Sequence, residues 1–327
     1  MDIRQTKLWG KEARERLQAA PQHRRIALIY AAVLLGMSAV VTIVQYLLDG
    51  QIAKTAGLSG VGTRTMLTTV QTLLPIGQTL VVLCLELGFL AAMLRVARGQ
   101  AVSRHSLRLG FDRFWLLIRV NLLQELLYVA ICIPVAYLGI ALYALSPLSA
   151  SLVQAVMPLL TQETTVLDEA LMEQLMYSMV PCMVFCSVLM CLVLLVISYR
   201  YRMVNYLIID QPGIGAMAAL RESRKMMKGH CWQLFRLDVK LWWYYGLTLL
   251  ATAVSALDIL LELVNVSVPM DGTVFGYLCY GVYLVMLFGI SYFLRPSVEV
   301  RYAFAYDAIR PRQQQSGGVV LGNIFQM

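Results

Sequence analysis

Residues 174–202 read QLMYSMVPCMVFCSVLMCLVLLVISYRYR, and the first 24 of them carry no charged side chain. As a helix rising about 1.5 Å per residue, that run spans ~36 Å, more than the ~30 Å of a bilayer's hydrocarbon core. Arg200 and Arg202 close it. Five further stretches share its character: Ile26–Leu48, Gln71–Leu94, Trp115–Leu145, Leu241–Leu263 and Val274–Phe293. Lys and Arg alternate between them, with seven before the first stretch, then two, five, none, eight and none, and four after the last. Arg119 alone lies inside a stretch. Basic segments resist translocation, so the alternation predicts an all-α protein of six transmembrane helices with both termini cytoplasmic.

Composition agrees. With 59% hydrophobic and 14% charged residues and a mean hydropathy of +0.68, the chain lies outside the range of ordinary soluble domains, whose charged fraction is about a quarter. The net charge of +8 does not point to nucleic acid, because the cations sit close to the spans and meet the lipid headgroup layer first. The first span is too long for the h-region of a cleavable signal peptide and is expected to remain as a signal anchor. The organisation expected is a cytoplasmic basic segment over 1–25, a membrane domain over 26–293 and a cytoplasmic tail over 294–327, disordered after about residue 313. Within the membrane domain, loops 95–113 and 198–240 are basic and cytoplasmic, and 146–173 is an outer loop without a basic residue.

Two cytoplasmic segments read as amphipathic helices lying on the inner leaflet. In Ile3–Ala20, Trp9, Ala13, Leu17 and Ala20 share a stripe. In Gly215–Lys228, Ala216, Ala219, Leu220, Ser223, Met226 and Met227 form one face, and Arg221, Arg224, Lys225 and Lys228 supply lipid-headgroup contacts from the other. Gly229 is placed to cap that helix.

The seven cysteines lie in or beside spans and imply no disulfide framework. Cys182 and Cys186 share a helix face, which suits small-residue packing better than a metal, since no His or carboxylate accompanies them at that depth. His23, His105 and His230 fall in three separate basic segments and read as interfacial residues. No metal and no cofactor is expected. The sequon Asn265-Val266-Ser267 and the pair Asp258 and Glu262 read as incidental, the carboxylates as solvated flanking charges. Pro134 and Pro181 should bend spans three and four.

Polar groups inside the membrane are the strongest candidates for function, because each costs ~2.5–3.5 kcal/mol at mid-bilayer unless paired. Counted from Arg95, Glu86 lies about 13 Å deep, and counted from Arg113, Arg119 and Glu125 lie about 9 and 18 Å deep. Glu86, Arg119, Asn121 and Glu125 are therefore expected to form an intramembrane cluster, either as an ion pair locking spans two and three or as a polar pathway for a substrate.

The text Tyr199-Arg200-Tyr201-Arg202, Asp210-Gln211-Pro212, Ser223-Arg224-Lys225-Met226-Met227-Lys228-Gly229 and Leu234-Phe235-Arg236-Leu237 resembles a bacterial integral membrane family, "domain of unknown function 975". Leu94-Arg95-Val96-Ala97-Arg98-Gly99 and Gly110-Phe111-Asp112-Arg113-Phe114 strengthen the likeness, which covers nearly the whole chain. Asp238-Val239-Lys240 departs from it, since the family tends to small or uncharged residues there. A more distant similarity is to the membrane portion attached to some glycerophosphodiester phosphodiesterases. The resemblance implies a multi-span protein of the bacterial plasma membrane and transfers no activity.

No nucleophile elbow, phosphate loop, zinc-protease or dinucleotide motif occurs in the chain. The expectation is a non-enzymatic membrane protein whose basic belt binds anionic lipid headgroups or a protein partner, another membrane protein or a second copy, in envelope maintenance. The alternative is a permease or exporter with a polar site around Glu86, Arg119 and Glu125.

Overall fold

The computed structural model describes residues 3–54, 61–150, 169–257, 261 and 272–310. Among these the chain is helical, with no strand. The elements are α1 (Ile3–Ala19), α2 (Gln22–Lys54), α3 (Val61–Ala97), a 3-10 turn (Arg104–Arg108), α4 (Leu109–Asp112), α5 (Phe114–Ala144), α6 (Glu169–Tyr201), α7 (Val204–Asp210), α8 (Ala216–Met226), α9 (Cys231–Lys240), α10 (Trp242–Ser255), α11 (Gly272–Gly289), a π-helical turn (Ile290–Leu294) and α12 (Arg295–Ile309). A short 3-10 turn, Pro147–Ser149, follows α5.

Five helical stretches are long and apolar enough to cross a membrane: Gln22–Lys54, Gly62–Ala97, Phe114–Ala144, Tyr177–Asp210 and Val274–Ile309. They mark the chain as a multi-pass membrane protein. The fifth of the six expected spans is represented by α10, which has 14 residues. Its expected continuation to Leu263, with Asp258 and Glu262, lies almost wholly outside the described residues, as do the sequon and most of the expected outer loop.

The long helices pair as hairpins, α2 with α3, α5 with α6 and α10 with α11. In the first, Tyr30 stacks on Phe89 at 4.5 Å, the Gln78 amide donates to Ser38 Oγ at 3.0 Å, and the Gln71 amide donates to Asp49 at 2.8 Å, an antiparallel register throughout. In the second, Gly139 lets α6 approach so closely that an added Cβ would stand 3.3 Å from Cys186 Sγ. Cys186 thus serves in helix packing, as its size and spacing suggested. Pro134 and Pro181 sit inside helices that continue past them.

The core is not spread along the bundle. Of the most apolar stretch of α3, 67% is buried within the protein, against 11% for α5 and 6% for the fourth stretch, so α3 is the central helix and the other two present apolar surface outward. Around the C-terminal half of α3 the short helices close a compact body: Phe89, Met93 and Leu94 pack with Ile26 and Tyr30 of α2, Leu207 of α7, Leu234 of α9 and Val300, Ala303 and Tyr306 of α12. This body also takes in the stripe of α1, with Trp9 and Ala13 buried and Leu17 and Ala20 packed against them. The side chains expected to rest on lipid are in contact with protein instead.

Gly99 ends α3 at φ +70°, a conformation that glycine adopts without strain. The chain then runs back along α3. Leu107 lies so close to Gly88, and Gly110 so close to the Cys84 carbonyl, that a Cβ on either glycine would collide with backbone, at 2.4 and 1.8 Å.

Candidate functional site

The returning segment decides where the polar residues meet. Depths along α3 and α5 match only if Arg95 and Arg113 stand at one level, but Gly110 is packed beside Cys84, 11 residues before Arg95. At about 1.5 Å per residue that offset is ~16 Å, so α5 begins far along α3 from the assumed level and Arg119 is carried past Glu86. Arg119 and Glu125 are both exposed, and the Asn121 amide donates to the Leu117 carbonyl one turn back at 2.9 Å. The expected cluster of Glu86, Arg119, Asn121 and Glu125 is not assembled.

Glu86 is paired with Arg295 instead. One guanidinium nitrogen of Arg295 donates to Glu86 and another to the Tyr30 hydroxyl at 2.6 Å, while Glu299, one turn on, lies 3.5 Å from Nε. The Arg295 guanidinium also lies 5.1 Å from the Tyr30 ring centre. Proline at 296 explains the position: it has no N–H to give and its ring crowds the carbonyl four residues back, and the backbone before it widens into the π-turn Ile290–Leu294.

A second group lies nearer the end of α3. Arg98 grips Asp210 with two bonds of 2.7 and 2.8 Å and reaches Asp307 at 2.6 and 3.1 Å, and Arg310 adds a bond to Asp210 at 2.8 Å. Burial works against the Arg98 cation, but the hydrogen bonds and charges of Asp210 and Asp307 outweigh it and hold its pKa above the ordinary value. Bidentate pairing of this kind is directional, and so fixes the ends of α3, α7 and α12 relative to one another. Arg98 to Asp307 and Glu86 to Arg295 are separated by the same 209 residues, so α3 and α12 run parallel in a single register.

Asp238 forms the third group. It is buried on α9 and accepts hydrogen bonds from the hydroxyls of Tyr199 and Tyr302, with Arg202 at 3.8 Å. Arg202 donates to the Tyr245 hydroxyl at 3.0 Å and lies over the Tyr302 ring at 4.6 Å. The residue that departs from the resembled pattern is thus a junction of α6, α9 and α12. In all three groups the carboxylates are held by Arg or Tyr donors, an arrangement that fastens helices through fixed charge.

The basic helix α8 keeps its two faces. Ala219, Leu220, Ser223, Met226 and the following Met227 are buried, and the Ser223 hydroxyl donates to the Arg200 carbonyl at 3.1 Å. Ala219 and Leu220 pack with Cys84 and Leu87 of α3, Leu117 of α5 and Ile208 of α7. The apolar face is therefore held by protein, where the sequence placed it on the leaflet. Its pattern was right and its partner was not, since periodicity is blind to what the apolar face meets. Arg221, Arg224, Lys225 and Lys228 are exposed and make no ion pair among the described residues. Further along the chain α9 presents exposed Trp232, with Arg236 at 5.5 Å from its ring, and α10 opens with exposed Trp242.

Sequence reading missed Arg98, Asp210, Asp238, Arg295, Asp307 and Arg310 as members of ionic groups. The signal was present for two of them, in the Asp-Gln-Pro element and in the charged departure at 238.

Arg98, Tyr199, Arg202 and Asp210 of these groups lie in elements on which the family likeness rested. The family model described as "Protein of unknown function (DUF975)" matches residues 11–313, and the chain belongs to that family. No curated protein and no solved structure matches the chain.

Proposed function

We propose that this member of the family is a non-enzymatic protein of the bacterial plasma membrane that binds anionic lipid headgroups through a cytoplasmic basic belt. In this reading six spans cross the bilayer, both termini are inside, and the helical body around α3 stands at the inner leaflet. The observation that carries it is at α8: three exposed cations on the helix, Arg221, Arg224 and Lys225, and a fourth, Lys228, in the turn after it are unpaired among the described residues, while the other face of the helix is already fixed to protein. They are not needed to hold the helix, and the exposed Trp232 and Trp242 that follow in the sequence are of the type that settles at headgroup level. Each such cation adds about 1 kcal/mol of attraction near an anionic surface, so four together supply ~4 kcal/mol. The permease alternative gains no support, because Glu86 is taken by Arg295 while Arg119 and Glu125 face outward.

The test is thermal unfolding in nanodiscs. The wild type should be stabilised by phosphatidylglycerol relative to phosphatidylcholine, and the fourfold variant with Arg221, Arg224, Lys225 and Lys228 changed to Gln should lose most of that difference while unfolding normally in phosphatidylcholine. Equal stabilisation of both proteins by the anionic lipid would overturn the assignment.

A further inference from the structure

A cleft of about 330 Å³ opens where α1, the start of α2, the start of α10, the π-turn and α12 meet. Arg14, Arg24 and Arg301 line it, and no carboxylate does. None of the three makes an ion pair among the described residues, Arg14 and Arg301 repel one another, and Arg301 Nε is buried without a hydrogen-bond partner. Gly10 leaves room beside the Arg301 guanidinium, since a Cβ there would stand 3.7 Å from its Nη2. Trp243, Phe293 and Leu294 give the cleft an apolar lining beside these cations. Phe293 is 71% exposed and belongs to the π-turn, a local widening that recurs at functional sites. Like charges gathered without a counter-charge are stabilised by a bound anion, and a guanidinium fork matches the oxygens of a phosphate. An inorganic anion would leave the apolar lining unused. A phospholipid would use both.

We propose that this cleft binds one anionic phospholipid, its phosphate held by Arg14, Arg24 and Arg301 and its acyl chain laid along Trp243, Phe293 and Leu294 toward the exposed apolar face of α10. The site deepens the headgroup-binding reading and rests on it for the placement of this end of the bundle at the inner leaflet. It differs from the belt on α8 in kind, being a cleft for one molecule rather than a charged surface.

Native mass spectrometry of the full chain in detergent tests it, with dioctanoyl phosphatidic acid, dioctanoyl phosphatidylcholine, glycerol phosphate and inorganic phosphate as separate probes. The wild type should retain one equivalent of the phosphatidic acid, at least tenfold more tightly than any of the other three. Arg301→Gln should weaken that binding tenfold or more, and the double variant Arg14→Gln with Arg24→Gln, changed at exposed positions that do not threaten folding, should weaken it comparably. Phe293→Ala should weaken lipid binding too. Unchanged binding in the double variant, or inorganic phosphate held as tightly as lipid, would overturn the proposal. The α8 variant separates the two ideas: if it keeps the single tight equivalent but loses its stabilisation by anionic nanodiscs, both stand. If the cleft variants bind normally while the α8 variant loses stabilisation, the cleft fails alone. If the α8 variant keeps full stabilisation while the cleft variants lose the bound lipid, the belt fails alone.

Discussion

Arg295 and Glu86 form an ion pair between the first turn of α12 and the C-terminal half of α3, and this pair sets the register of two parallel helices whose contact continues to Arg98 and Asp307. The Glu86 side chain is 41% exposed and that of Arg295 17%, so the two ends of the pair differ in what their loss leaves behind. Removing Glu86 leaves Arg295 with Tyr30 and Glu299, whereas removing Arg295 strands two carboxylates. Glu86→Gln should therefore cost about 1–2 kcal/mol and Arg295→Gln about 3 kcal/mol or more. The double variant should lose at least ~0.5 kcal/mol less than the sum, while Arg119→Gln should add fully to Glu86→Gln. Unfolding midpoints in detergent measure both cycles, and coupling of Glu86 to Arg119 would contradict the pairing described.

Asp210 is the more consequential carboxylate, because it serves two arginines and its own side chain is 9% exposed. Asp210→Asn should destabilise the chain by about 3–5 kcal/mol, the range for breaking a buried pair and leaving charge unmatched. Asp307→Asn, at a side chain 32% exposed, should cost less than half as much. Comparable losses at both sites would show that the bidentate grip on Asp210 is not the stronger contact.

Gly110 is required by proximity rather than by backbone angle. A methyl group there would stand 1.8 Å from the Cys84 carbonyl oxygen, so Gly110→Ala must push the returning segment off α3, at a cost of about 3 kcal/mol or more. Gly36 on α2 has open space around its Cβ position, and Gly36→Ala should stabilise by up to ~1 kcal/mol through helix propensity alone. Opposite signs in the two thermal shifts are the expected result.

Reporter fusions check the proposed topology. Those after Ala101 and Gly213 should report the cytoplasm, and those after Gln162 and Asp271 the outside. A cytoplasmic signal at Asp271 would remove the span built on α10 and reduce the count to five.

The positions of the long helices were legible because crossing a bilayer demands a long run of apolar residues, whatever the rest of the chain does. Gln22–Lys54, Phe114–Ala144 and the apolar runs of α3, α6 and α11 needed no partner to be recognised. The amphipathic patterns of α1 and α8 were legible for the same local reason: Trp9 and Ala13, and Ala219, Leu220, Ser223 and Met226, are buried as their spacing requires.

What covers those faces, and which charges pair, was decided by tertiary structure. The segment from Arg104 to Asp112 turns back along α3 through contacts at Gly88 and Gly110, and that detour displaces α5 against α3 by more than two helical turns. Counting residues from the nearest basic cluster assumes that loops lie flat at the membrane surface, and so it joined Glu86 to Arg119. The actual partner, Arg295, lies 209 residues away on a helix that only the packed body brings alongside. Local periodicity determines which residues are buried and at what spacing. Pairing between elements distant in sequence depends on the path of the chain in three dimensions, and that path is set by contacts such as Gly110 on Cys84 that leave no periodic signal.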